Sequence, residues 1–393
     1  MDLRCVACGE RSPHDPLLLA CPRCGEALEV VLAPEVLAGK PEFEGRGVWR
    51  YEPLLPASPT VSLGEGDTGL HRCERLGSEL GVPRLYVKNE GENPTGSFKD
   101  RGMTVGISLA IAAGVRAVAC ASTGNTAASM AAYAARAGLP AIVLVPAGKV
   151  AAGKLSQAVA HGAAIAEIEG SFDDAMALVL ELARTRRQVY LLNSLNPYRL
   201  EGQKTLAFEV CEALGEAPDA VVLPMGNAGN VSAVWKGFQE FRAQGRIAAL
   251  PRMIGVQAEG AAPLVRVLRD GASECRVERP ETVATAIRIG APVNWRKAVA
   301  AVRLSGGEAG TVTDAEILAA QRDLARLEGL FVEPAAAAPL AYLRRRRIPN
   351  APTVVCVATG HGLKDPEALA GAPVRRKRVP ANLEALCAAL DEG

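Results

Sequence analysis

The stretch best suited to covalent chemistry is Asn93-Pro94-Thr95-Gly96-Ser97-Phe98-Lys99-Asp100-Arg101-Gly102, one lysine among small and turn-forming residues. Leu85-Tyr86-Val87 ahead of it reads as a strand, and residues 103–113 behind it read as a helix. Asn93-Pro94 and Thr95-Gly96 are turn dipeptides. Lys99 therefore stands near a helix start, where free N–H groups and the dipole favour anions. Partial desolvation lowers the pKa of an amine and frees it to form a Schiff base. The plainer alternative is a solvated lysine at a helix start.

Three further loops carry polar groups at the start of a helix. In Ser122-Thr123-Gly124-Asn125-Thr126, hydroxyls, an amide and open N–H groups suit a carboxylate, and the amide can bond a phenolic oxygen. An ordinary N-cap turn explains the same residues. In Asn193-Ser194-Leu195-Asn196-Pro197-Tyr198-Arg199-Leu200-Glu201-Gly202-Gln203-Lys204-Thr205, the Arg199 guanidinium can bind a phosphoryl group bidentately. Its alternative is a surface ion pair with Glu201 or a neighbour. Lys154 and Ser156, near an earlier helix start, are weaker candidates for the same anion. Pro224-Met225-Gly226-Asn227-Ala228-Gly229-Asn230 can fold into a concave array of N–H donors, a phosphate cradle. It lacks the Gly-Lys-Ser/Thr of a Walker motif and the spacing of a dinucleotide fingerprint.

Four cysteines form a separate constellation. Cys5-x2-Cys8-Gly9 and Cys21-x2-Cys24-Gly25 make two knuckles whose thiolates can surround one Zn²⁺. With all ligands from protein, such a site is closed and structural. About 30 residues hold too little core to fold unaided, and a metal supplies the missing free energy. Two disulfides or a redox CxxC are the alternatives. His14, between the knuckles, reads as a loop residue.

Positioning these groups falls to an alternating chain. Strand-like runs lie at 85–88, 116–121, 141–145, 164–168, 189–192, 219–223, 252–257 and 353–358, mostly separated by helix-length segments. That pattern predicts parallel sheets faced by helices, with ligands at the carboxyl ends of the strands. Residues 1–30 read as the small metal unit, and 31–60 as a proline-interrupted lead-in. The alternating region reads as spanning 61–366, and 367–393 as a tail. Thr313-Asp314-Ala315-Glu316 is a capping box for a helix to about Glu328. Glu333-Pro334 reads only as another helix start.

Composition narrows the function classes. The 393 residues carry a net charge of +1 and are 49% hydrophobic, enough for two or more cores and no broad case for nucleic acid. The basic runs 344–347 and 375–378 read as solvated faces. No apolar run of about 18 residues predicts a membrane span, and no signal-peptide core follows Met1. Scattered cysteines fit a reducing cytoplasm.

These segments, taken together, resemble threonine synthases among the fold-type II, tryptophan synthase β-like, pyridoxal-phosphate (PLP) enzymes. The matching pieces are the Asn93–Gly102 lysine motif, Ser62-Leu63-Gly64-Glu65-Gly66-Asp67-Thr68, the Asn193–Thr205 segment, Ala284–Gly290, and Thr359-Gly360-His361-Gly362-Leu363-Lys364-Asp365-Pro366. The likeness covers about 60–366 and implies a catalytic region over 61–366 with its smaller domain at roughly 103–195. It implies an α/β fold of two open, mostly parallel-sheet domains with PLP between them, preceded by a zinc ribbon that some members carry. It implies Lys99 as the Schiff-base lysine and acid–base group, Asn125 on the ring oxygen, and Gly226, Asn227, Ala228, Gly229 and Asn230 on the cofactor phosphate. Thr359 would face the ring nitrogen, a neutral hydroxyl that does not enforce ring protonation. Ser122, Thr123 and Thr126 would hold the substrate carboxylate, and Asn193, Arg199 and Asn227 its phosphate. The reaction implied is that of a carbon–oxygen lyase, O-phospho-L-homoserine and water to L-threonine and phosphate, in a cytoplasmic homodimer. A serine or threonine dehydratase, an O-phosphoserine-using synthase, and a non-catalytic scaffold with a docking ribbon are the rival readings.

Overall fold

The computed structural model describes residues 1–148, 152–369 and 378–391. Among the described residues, 13 strands form three sheets. β1 (Asp2–Cys5), β2 (Arg11–Pro13) and β3 (Leu28–Val31) make a small antiparallel sheet in the order β2-β1-β3. β4 (Leu70–Arg72) and β5 (Arg84–Asn89) belong to a second sheet. β6 (Ala117–Ala121), β7 (Ala141–Pro146), β8 (Ala164–Ile168) and β9 (Val189–Leu191) form a third. β10 (Ala220–Pro224), β11 (Arg252–Ala258), β12 (Glu308–Val312) and β13 (Thr353–Ala358) complete the second.

The six-stranded sheet runs β12-β11-β10-β13-β5-β4 and is parallel except where β4 meets β5. Its central strands are buried on both faces, as a parallel sheet covered by helices requires. Alternation still divides them between two cores. Val354, Cys356 and Ala358 of β13 face one cluster, while Val355 and Val357 face the other. The four-stranded sheet, β8-β7-β6-β9, is wholly parallel.

All eight strand-like runs read from the sequence are strands here. β12 was missed, because Glu308-Ala-Gly-Thr-Val offers no apolar run. The capping box at Thr313 is present and opens the helix Asp314–Glu328. Arg344, Arg345 and Arg346 sit in surface ion pairs, whereas 375–377 lie outside the described residues. No described helix is long and apolar enough to cross a membrane.

Two helices bring the chemistry together. Lys99 is the first residue of the helix Lys99–Ala112, and Arg199 lies in the helix Pro197–Gln203. They cross in backbone contact. A Cβ on Gly202 would stand 1.7 Å from the Arg101 carbonyl oxygen, and one on Gly102 would stand 2.6 Å from that of Arg199. Only hydrogen fits at either position.

Candidate active site

The loops after five strands, β5, β6, β9, β10 and β13, carry the candidate groups. The loop after β5 carries Lys99, and a bridge from Ser97 to Gly360 joins that loop to the end of β13. Phe98 N–H donates to the Thr359 carbonyl at 3.0 Å. Lys99 is half-buried, its Nζ 3.7 Å from the centre of the Phe98 ring. Burial, with the Arg199 charge adding to it and Glu333 opposing, lowers the amine from 10.5 to about 7. Next to it, the buried Asp100 accepts from Thr95 N–H at 2.7 Å, Thr95 Oγ1 at 2.6 Å and Ser129 Oγ at 2.5 Å. Burial outweighs these bonds and raises its carboxyl to about 6. Arg101, on the far side, bonds Glu90 and Glu209, so the loop is seated on a buried ion network.

Arg199 is 1% exposed. Its Nη1 donates to the Leu192 carbonyl at 2.9 Å, while Nε and Nη2 have no partner. The alternative of a pair with Glu201 is excluded, because Glu201 bonds Lys204 at 2.7 Å and Lys236 at 2.5 Å. Desolvation lowers the guanidinium to about 10. A buried cation with two open donors on one edge is costly unless an anion completes it.

The amide of Asn193 is largely engaged. Its Nδ2 donates to the Ala121 carbonyl at 2.8 Å, and its Oδ1 accepts from Ala121 N–H at 3.0 Å. That tie joins the ends of β6 and β9 and leaves one N–H for an anion. The loop Ser122–Thr126 follows β6, and Asn125 opens the helix Asn125–Ala137. Ser122, Thr123 and Thr126 are half-buried at its mouth. The Lys154 side chain lies outside the described residues, and Ser156 is exposed.

In the glycine-rich loop, Ala228 takes φ +63°, a conformation L residues seldom adopt, and the helix Gly229–Ala243 begins after it. The N–H groups of Gly226 to Asn230 donate to no described residue. Asn230 is 6% exposed with both amide atoms unpartnered. Asn294 ties this loop to that of Arg199, its N–H donating to the Asn227 carbonyl at 3.1 Å and its Nδ2 to the Ser194 carbonyl at 2.9 Å.

Glu333 was missed as a site residue. Its carboxyl accepts from Asn125 Nδ2 at 2.9 Å and lies 3.2 Å from Thr359 Oγ1. The only sequence signal was one charge in the otherwise apolar run Phe331-Val332-Glu333-Pro334-Ala335. Ser97 was also passed over, although its hydroxyl is buried and unpartnered. His361 caps the turn Gly362–Lys364 through Leu363 N–H at 3.1 Å, as a loop residue would.

Residues 61–360 match the family of pyridoxal-phosphate dependent enzymes. A threonine synthase of Methanosarcina acetivorans is 51% identical, over 98% of this chain and 97% of that protein. The chain belongs to the threonine synthase family of pyridoxal-phosphate dependent enzymes. A family member from Methanocaldococcus jannaschii is 51% identical over 97% of this chain and 96% of its own length. A maize serine racemase structure, 19% identical, superposes with a TM-score of 0.65 over 83% of this chain and 92% of that one, which extends the shared fold beyond the family.

The residues present fit the family's cofactor. Open N–H groups beside a helix start suit a phosphate, the unpartnered Asn230 amide awaits a polar ligand, and Lys99 offers an amine of lowered pKa. Apart from this cleft, Cys5, Cys8, Cys21 and Cys24 bring four Sγ atoms within 4.8 Å of one another. Their contacts of 3.5 to 3.7 Å are close to the roughly 3.8 Å that separates sulfurs about 2.3 Å from one ion. All four are free thiols, with no disulfide among them.

Proposed function

We infer that this enzyme is a threonine synthase, converting O-phospho-L-homoserine and water to L-threonine and phosphate. The observation that carries the substrate is Arg199, a buried guanidinium with two unpartnered nitrogens whose charge acts on Lys99. A dehydratase substrate has no phosphate to complete it.

The roles follow from the chemistry of each group. Lys99 would hold PLP through its amine, Asn125 would bond the ring oxygen, and Thr359 would face the ring nitrogen. Gly226, Asn227, Ala228, Gly229 and Asn230 would take its phosphate. When bound, the cofactor supplies a ring that spreads carbanion charge. Lys99, about half protonated near pH 7, can take a proton from the substrate Cα and return it along the carbon chain. Ser122, Thr123 and Thr126 would orient the substrate carboxylate. Arg199, with the remaining N–H of Asn193 and with Asn227, would hold the substrate phosphate and stabilise its charge as it departs.

Zn²⁺ held by the four cysteines would close a structural ribbon over residues 1–30. Residues 31–60 would be a lead-in, 61–366 the catalytic region with its smaller domain at roughly 103–195, and 367–393 a tail. A cytoplasmic homodimer without a nucleic-acid partner completes the reading. Phosphate release and threonine formation from O-phospho-L-homoserine test it with PLP-loaded protein. Matching yields support it. No release, with the cofactor bound, would move the substrate to O-phosphoserine, serine or threonine.

A further inference from the structure

The Glu333 carboxyl joins the two residues proposed for the nitrogen and oxygen edge of the cofactor ring. Oε2 accepts from Asn125 Nδ2 at 2.9 Å, and Oε1 lies 3.2 Å from Thr359 Oγ1. The backbone holds it in place. Glu333 N–H donates to the Gly360 carbonyl at 2.9 Å, and Val332 forms a bridge with His361. A helix begins directly behind it, at Pro334. The residue is 3% exposed, so water does not compete for its oxygens.

The two oxygens differ in what they can do. An amide N–H only donates, so Oε2 is an acceptor whatever the charge on Glu333. Oε1 accepts from Thr359 when ionised and donates to Thr359 when protonated. The Thr359 hydroxyl has one proton, so its bond to Glu333 decides what it can offer on its other side. With Glu333 ionised, Thr359 spends its proton on Oε1 and presents a lone pair, which a ring nitrogen can meet only by carrying a proton. With Glu333 neutral, Thr359 receives the Glu333 proton and gives its own to the lone pair of the nitrogen. Passing from the neutral to the ionised state moves one proton from Glu333 to Thr359 and one from Thr359 to the nitrogen. The net change is one proton transferred from Glu333 to the ring.

We propose that Glu333 is a positioning residue that sets, through Thr359, whether the ring nitrogen of the bound cofactor carries a proton. This rests on the reading that PLP binds here with its nitrogen at Thr359. It replaces the expectation of an indifferent hydroxyl with a hydroxyl whose direction is dictated. The charged groups facing Glu333 are Lys99, from the adjoining helix start, and Lys364, from the turn after β13. Both favour the ionised carboxylate, as do the bonds from Asn125 and Thr359, while burial favours the acid and outweighs them. Arg199 and Asp100 act on this balance through the two lysines.

The test is nitrogen-15 NMR of protein loaded with ring-labelled PLP, followed over roughly pH 5 to 9, where buried carboxyls titrate. The two states hold the same number of protons, so pH does not interconvert them; the wild type is expected to show a partly protonated ring nitrogen that loses the shared proton in one transition as pH rises. Glu333→Gln still accepts from Asn125 and presents an N–H to Thr359, a permanent copy of the acid. Its nitrogen should stay unprotonated and the transition should vanish. Thr359→Val cuts the relay and should erase the transition too, which serves if the glutamine variant does not fold. A Glu333→Gln or Thr359→Val protein that titrates like wild type overturns the proposal, as does a wild type with bound cofactor and no transition. A wild type that takes up no PLP overturns the cofactor reading and this proposal with it.

Discussion

Lys99 and Arg199 are cations that share one cleft, and the environment of each defines its chemistry. Among the described residues no carboxylate pairs with the lysine, so desolvation and the nearby guanidinium, opposed by Glu333, set its proton affinity. Its pKa falls from 10.5 to about 7, so the amine holds its proton below about pH 7 and is neutral above it. Only the neutral amine attacks an aldehyde. The rate of PLP capture by cofactor-free protein should therefore rise through about pH 7 and level off, followed by stopped-flow absorbance. A rate still climbing toward 10.5 would mean an ordinary, solvated lysine. Lys99→Ala should abolish both the visible band and turnover. Arg199→Ala removes charge-assisted bonds worth about 1.5–3 kcal/mol, so kcat/KM for O-phospho-L-homoserine should fall roughly 10- to 150-fold. The cofactor band should persist. An equal loss with unphosphorylated serine would sink the phosphate-clamp role.

At the scale of elements, the distance between those two residues is fixed by Gly102 and Gly202. The helices Lys99–Ala112 and Pro197–Gln203 meet backbone to backbone there. Gly202→Ala must push the Arg101 carbonyl away, and overpacking of this kind costs about 1–3 kcal/mol. It should lower Tm and also reduce kcat/KM, because Lys99 and Arg199 move apart. Calorimetry and steady-state kinetics check the two effects, and a variant of lower Tm with unchanged kinetics would show that the crossing does not position the site. Much of this was legible in the chain itself. Buried parallel strands are long apolar runs, and the loops that follow them announce themselves by glycine, asparagine and hydroxyl residues. Glu333 was not legible, because its role depends on the Val332–His361 bridge, which pairs residues far apart in sequence. Asn193 is a phosphate ligand by resemblance, yet the end of β6 claims most of its amide. β12 escaped because an edge strand needs less apolar surface than a central one.

The whole molecule connects the cysteine cluster to this site through packing. Leu3, Cys5, Leu28 and Val30 of the N-terminal sheet, with Cys21 beside it, share a core with Val105 and Leu109 of the Lys99 helix and with Tyr198, the neighbour of Arg199. Tyr198 Oη donates to the Asp15 carbonyl at 2.8 Å, and the His14 ring stands edge-on to Tyr198 at 5.3 Å between centres. Lys236 and Lys297 grip the carbonyls of Val30 and Leu28 at 2.6 and 2.7 Å. Cys5 and Cys21 are buried in this core, while Cys8 and Cys24 are exposed, so a metal would sit at the rim and hold the small sheet shut. Removing it with a chelator, or by Cys8→Ser, should release residues 1–30 before the body unfolds, seen as early proteolysis there. Tyr198 would then lose its partners on one side, and the short helix behind Arg199 would loosen. A positioning loss of about 1–2 kcal/mol corresponds to a roughly 5- to 30-fold rise in KM for the phosphorylated substrate. Lys99, seated on the Arg101 ion network away from the cysteines, should keep its cofactor band. Tyr198→Phe, which removes one hydrogen bond and leaves the metal in place, should raise the same KM by a smaller factor. If chelation instead strips the cofactor and leaves KM for the remaining holoenzyme unchanged, the ribbon supports the fold as a whole and does not position the phosphate clamp.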